Sequence, residues 1–119
     1  MPLSGSLRLL NVIAEPNRLR ILAALSVRRM CVCEIRAALR LKQSVASQHL
    51  RVLRDCGLVQ DRKDGLWVDY ELSSAALSGP SGRMLKAILL EAVRDESIRK
   101  DRKAAAKVDR KALCCRASS

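Results

Sequence analysis

The sequence predicts a mainly α-helical fold carrying one β-hairpin, on three observations. Apolar residues recur at helical spacing from Leu7 to Leu53 and again from Leu85 to Val93. Two short β-prone segments flank Asp64-Gly65, a strong two-residue hairpin signal. The apolar residues are mostly Leu, Ile, Val and Ala, with one Trp, one Tyr and no Phe, which suits packed helices better than a β-sandwich. A chain of 119 residues is expected to form one domain, and a domain this small gains from dimerising.

Leu7, Leu10 and Ala14 place a first helix over Leu3 to Ala14. Glu15-Pro16 interrupts it, and proline suits the first position of the next helix, which Leu19, Leu22 and Ala23 carry to about Val27. A short third helix is predicted from Cys31 to Leu39, with Ile35, Ala38 and Leu39 facing inward. After a break at 40–42, Ala46, Leu50 and Leu53 form one buried stripe on a fourth helix, Gln43 to Asp55. Gly57 stands where a C-terminal capping glycine belongs. Leu58 to Lys63 and Leu66 to Leu72 read as strands, residues 78–82 as a break, and Arg83 to Lys100 as a last helix. Two helices joined by a short turn and followed by a hairpin make a winged helix-turn-helix. Residues 1–100 are assigned to a DNA-binding and dimerisation domain, and 101–119 to a basic, cysteine-containing tail, frayed or disordered.

The net charge of +11 predicts an anionic partner, and double-stranded DNA fits it. No apolar run approaches the roughly 18 residues of a membrane span, so a membrane partner is not expected and a cytoplasmic location is. The exposed face of the fourth helix carries Gln43, Ser44, Ser47, Gln48 and Arg51, short polar groups that can read base edges beside an arginine for phosphate. Arg62 and Lys63 place a basic hairpin against the DNA backbone. His49, the only histidine, is read as half-buried support or a phosphate contact rather than a metal ligand. The chain has no glycine-rich phosphate loop and no paired catalytic acids, so an enzyme is not expected.

Arg18-Leu19-Arg20-Ile21-Leu22, Cys31-Val32-Cys33-Glu34-Ile35, the run from Ser47 to Leu53 and the run from Asp61 to Leu72 together resemble the ArsR/SmtB family of metalloregulators, most of all its arsenical-resistance members. The resemblance covers roughly residues 7–95. It implies a homodimer built on the first and last helices, with the fourth helices in successive major grooves of operator DNA. It also implies a repressor released by its inducer, here As(III) or Sb(III), on a site containing Cys31 and Cys33. Soft trivalent arsenic and antimony suit thiolates. The usual arsenic-sensing motif has a third cysteine where this chain has Arg36. A third sulfur would come from Cys114, Cys115 or Cys56, or two thiolates would share the ion with a solvent ligand.

On an ideal helix Cys31 and Cys33 point about 200° apart, so closing both on one ion would unwind the first turn. Cys31 near a helix N-terminus would favour thiolate. Two other readings stand beside this one: buried structural cysteines, and a thiol redox switch at Cys31 and Cys33 or at Cys114-Cys115. A zinc or cadmium sensor is a further alternative, weakened because Arg83 to Lys100 offers Glu91, Asp95 and Glu96 but no histidine.

Overall fold

The computed structural model describes residues 3–113. Helices α1 (Leu3–Ile13) and α2 (Pro16–Leu25) lead to strand β1 (Met30–Cys31), α3 (Val32–Leu39) and α4 (Gln43–Asp55). The hairpin β2 (Val59–Asp64) and β3 (Trp67–Leu72) follows, then α5 (Gly79–Ala92), α6 (Glu96–Lys107) and α7 (Arg110–Leu113). This is the mainly helical, winged architecture that the periodicities predict.

The core centres on α2, whose Ile21, Leu22, Ala23 and Ala24 are fully buried. Ile35 and Leu39 of α3, Leu50 and Leu53 of α4 and Leu85 of α5 close around it. Helices α3 and α4 meet at a tight turn in which Arg40 takes the left-handed conformation, φ 56°. Gly57 does the same after α4, at φ 78°. Its lack of a Cβ suits a helix-ending position of this kind. The sheet is antiparallel in the order β1-β3-β2. The β2–β3 pairing runs from Val59↔Leu72 to Asp64↔Trp67, so the two-residue turn is Gly65-Leu66, one position later than predicted.

Three sequence assignments are corrected. Cys31 is not helical. It is extended, pairs with Asp69 across β1–β3, and serves as the N-cap of α3. The expected break at 78–82 is largely the first turn of α5. Gly82 is buried there because a Cβ would stand 2.2 Å from the carbonyl carbon of Leu77, and only glycine lets the two segments touch. The single helix from Arg83 to Lys100 is two helices. The Asp95 carboxylate caps the second, accepting from Ser97 N at 2.9 Å and Ile98 N at 3.3 Å.

The boundary expected at Lys100 falls inside α6, which packs on α2 and α3 and continues to Lys107. Asp101 and Ala105 of that helix are buried. Asp101 accepts two hydrogen bonds from Arg20, from Nε at 2.8 Å and Nη2 at 3.0 Å. Arg20 also donates to the Leu39 carbonyl at 2.7 Å. A bidentate, partly buried guanidinium–carboxylate pair of this kind ties α6 to the end of α3 more firmly than an exposed pair would. The expectation of a frayed segment directly after Lys100 is thus overturned as far as Leu113; residues 114–119 lie outside the described residues.

Candidate DNA interface and thiol site

Helix α4 is held from beneath by Ala46, Leu50 and Leu53. That seating leaves Gln43, Ser44, Gln48 and Arg51 exposed on its outer face, with Ser47 half-buried beside them. These polar groups therefore share a helix face free to enter a groove. Arg62 and Lys63 are exposed at the far end of β2, and Arg62 lies 3.7 Å from Glu71. Arg54, which with Arg40 and Lys42 surrounds that face and was expected to hold phosphate, reaches Asp61 at 3.4 Å and so joins the recognition helix to the wing. His49 is turned inward. Its Nε2 lies 3.3 Å from Glu15, the residue that caps α2, and its side chain is 16% exposed. The histidine's first role is thus to brace α4 against α2.

Cys31 and Cys33 are 0% and 2% exposed. Cys31 and Glu34 form a capping box at the start of α3, in which Glu34 accepts from Cys31 N at 3.0 Å. Burial pushes the Cys31 thiol up to about 11, and the Glu34 carboxylate adds to the rise against two backbone hydrogen bonds. The sequence argument that the helix N-terminus would favour thiolate is overturned here, because desolvation outweighs those hydrogen bonds. The raised value also fixes a pH dependence. The folded state keeps its proton where the unfolded thiol, near 9.0, has lost it, so this contribution to stability is present below about pH 9 and lost by about pH 11. Thermal melts of the native chain should show that fall, and Cys31→Ser should flatten it.

Sequence reasoning missed the charged frame around these thiols. Arg28 Nη2 donates to Glu34 at 3.0 Å and to the Val108 carbonyl at 2.6 Å, while its Nε donates to the Ala105 carbonyl at 3.0 Å. Arg110 of α7 bonds Asp69 at 2.6 Å and Asp64 at 2.7 Å, with its guanidinium 4.5 Å from the centre of the Trp67 ring. Asp69 is buried and is the strand partner of Cys31. The C-terminal segment is thereby strapped to both the cysteine strand and the wing. The sequence signal for the docking of α6, though not for this frame, was Asp101 in the inward series Ile98, Asp101, Ala105, an acid at an apolar position that called for a partner.

Cys56 caps α4 at its C-terminal end and lines a cleft with Arg8, Leu9 and Ala76. It does not join Cys31 and Cys33: among the described residues no three His, Cys, Asp or Glu side chains gather to hold a metal ion. Cys114 and Cys115 lie outside the described residues. On α5, Leu85 and Leu89 are buried in the core and Ile88 packs against it, so the exposed large apolar residue is Leu90, 71% exposed. Leu7 and Leu10 on α1 are also exposed. No helix among the described residues is long and apolar enough to cross a membrane.

Comparison with known proteins agrees with this arrangement. The family described as "Bacterial regulatory protein, arsR family" matches residues 15–61, from the start of α2 into the wing. The arsenical resistance operon repressor of Escherichia coli is 43% identical over 68 residues, which are 56% of this chain and 58% of that protein. The match thus spans little more than half of that relative's length. The HTH-type transcriptional regulator CmtR of Mycobacterium bovis is 36% identical over 86 residues, covering 72% of this chain and 73% of that one. Reduced HlyU from Vibrio cholerae superposes with a TM-score of 0.63 at 36% identity, over 76% of this chain and 87% of that one. With the fold, the polar face of α4 and the basic wing all in place, the chain belongs to the ArsR family of bacterial regulatory proteins.

Proposed function

We propose that this protein is a transcriptional repressor that holds operator DNA as a homodimer and releases it when As(III) or Sb(III) closes on Cys31 and Cys33. The observation that carries the inducer assignment is the pair of buried cysteines where β1 meets α3, the helix on which α4 rests. The similarity to an arsenical resistance operon repressor supports the same choice.

Two buried thiols suit arsenous acid, which condenses with neutral thiols, As(OH)3 + 2 RSH giving (RS)2AsOH + 2 H2O, with no net proton released. A divalent metal takes thiolates and releases their protons. Of the three acids offered for a zinc site, Asp95 is engaged as the cap of α6, and Glu91 and Glu96 are exposed with no histidine beside them on α5 or α6.

Because Cys31 is extended rather than helical, the switch differs from simple unwinding of a helical turn. Drawing the two sulfurs onto one ion works against the Cys31↔Asp69 pairing and the capping box with Glu34. The disturbance then reaches α4 through α3 and the wing through β3. A hundredfold weaker hold on DNA needs about 2.8 kcal/mol of coupling, comparable to the loss of two or three ordinary hydrogen bonds.

The third sulfur in this reading is Cys114 or Cys115 of the same subunit. Arg110 anchors the preceding segment on Asp69, beside Cys31. That anchor, which seats α7 beside the strand partner of Cys31, favours a ligand in cis.

Gln43, Ser44, Ser47 and Gln48 carry base readout, and Arg51, Arg62 and Lys63 meet phosphates. Arg62→Ala and Lys63→Ala should each weaken binding to all sequences alike and reduce the salt slope by about 0.9. An unchanged slope would remove the wing from the interface. The function as a whole is tested by a DNA-release titration with arsenite, antimonite, zinc, cadmium and peroxide in parallel. Release by arsenite and antimonite at the lowest concentrations supports it. Release by peroxide alone would establish the redox switch, and release by zinc or cadmium alone a metal sensor.

A further inference from the structure

We propose that the outer face of α6 is a second DNA-contacting surface, one that grips phosphates flanking the sequence read by α4. The inference rests on the DNA-binding reading above and extends it to a helix outside the winged core. Arg99, Lys100, Lys103 and Lys107 are all exposed. Lys100, Lys103 and Lys107 follow one another at helical spacing and form one stripe. None of the four makes an ion pair among the described residues. The charged neighbours do not neutralise the stripe. Asp101 is turned inward to Arg20, and Arg102 donates to the Ala23 carbonyl at 3.2 Å. Asp95 and Glu96 at one end and Asp109 beyond the other add exposed negative charge, and Asp95 acts on Arg99, which leaves Lys100, Lys103 and Lys107 as the uncompensated stripe.

Packing does not call for such a stripe, since α6 is seated by Ile98, Asp101 and Ala105 on its other side. Lys107 in the last turn suits the helix dipole, but Lys100 and Lys103, three residues apart, repel each other. A local rule broken there without return in packing points to function. The position supplies the partner. Lys100 lines one cleft with Arg40, which lies in the turn that leads into α4. At the other end Lys111 lines a cleft with Asp64, the last residue of β2, and Arg110 bonds that same aspartate. The stripe therefore begins beside the helix-turn-helix turn, and Lys111, in the short helix that follows α6, carries the basic surface on to the wing; these are the two places where the duplex is expected. Lysines act there as point charges on phosphates and carry no base readout.

The test uses the full chain and a labelled duplex of arbitrary sequence, with binding measured from 50 to 200 mM salt. Combining Lys100→Gln, Lys103→Gln and Lys107→Gln should reduce the slope of log K against log salt by about 2 to 3, at about 0.9 per phosphate contact. The milder pair Lys103→Gln with Lys107→Gln should lose about two-thirds of that. Circular dichroism should remain as in the native chain, since all three side chains are exposed. An unchanged slope in folded variants, with Arg62→Ala still lowering it, overturns the α6 surface and leaves the DNA-binding reading standing. An α6 face that instead binds an acidic protein would give this result. Failure of the native chain to bind any duplex overturns both.

Discussion

Cys31→Ser and Cys33→Ser are each expected to leave DNA affinity within about twofold of the native value and to raise the arsenite needed for release at least a hundredfold. The argument is chemical. A serine hydroxyl offers arsenic a hard, weakly bound oxygen in place of a soft sulfur. The remaining thiol cannot chelate alone. The structural cost is contained at Cys31, because serine is among the best N-cap residues and replaces the sulfur at that position. Cys33 lies in the first turn of α3 with 2% exposure, so burying a hydroxyl there costs on the order of 1–3 kcal/mol unless it finds a carbonyl. Cys33→Ala separates that cost from the loss of the ligand. Release measured by fluorescence anisotropy, with melting curves alongside, checks both. Normal induction in Cys31→Ser would remove the site.

The second large effect concerns assembly. Leu7→Glu combined with Leu90→Glu should yield monomers and lower operator affinity by about 10² to 10⁴, the avidity that a linked second half-site supplies. Leu7 and Leu90 are 56% and 71% exposed in the single subunit, so a charge at either position disturbs no core contact. Leu89 would be the wrong choice. It is 8% exposed and belongs to the core, and a glutamate there would unfold the subunit instead of parting the dimer. Sedimentation of the native chain as a stable monomer would contradict this account of the exposed leucines.

The recognition helix was legible to the residue: Ala46, Leu50 and Leu53 set its face, and Gln43 and Asp55 are its ends. The wing was legible because the β-prone Trp67, Val68 and Tyr70 and the Asp64-Gly65 pair signal a hairpin independently of its surroundings. What escaped was tertiary. A two-residue strand at Met30–Cys31 has no period of its own and exists only because Tyr70 and Asp69 lie opposite. Gly79-Pro80-Ser81-Gly82 carries every mark of a loop, yet proline suits the first turn of a helix and Gly82 is required by Leu77. The last helices were misjudged because their inward face uses Asp101, whose partner Arg20 lies 81 residues earlier. Cys31 and Cys33 were singled out by the resemblance to the arsenical-resistance motif, but the raised thiol of Cys31 and the strap through Arg28, Glu34, Asp69 and Arg110 depend on burial and on side chains far apart in sequence.

The central claim is that arsenic sits on Cys31 and Cys33, and X-ray absorption at the arsenic edge tests it most directly. Arsenite bound to the full chain should show three sulfur neighbours, and arsenite bound to the chain ending at Leu113 should show two with a light oxygen donor. Three in both would show that the tail is not the donor, and an arsenic shell unchanged by Cys31→Ser and Cys33→Ser together would contradict the site itself.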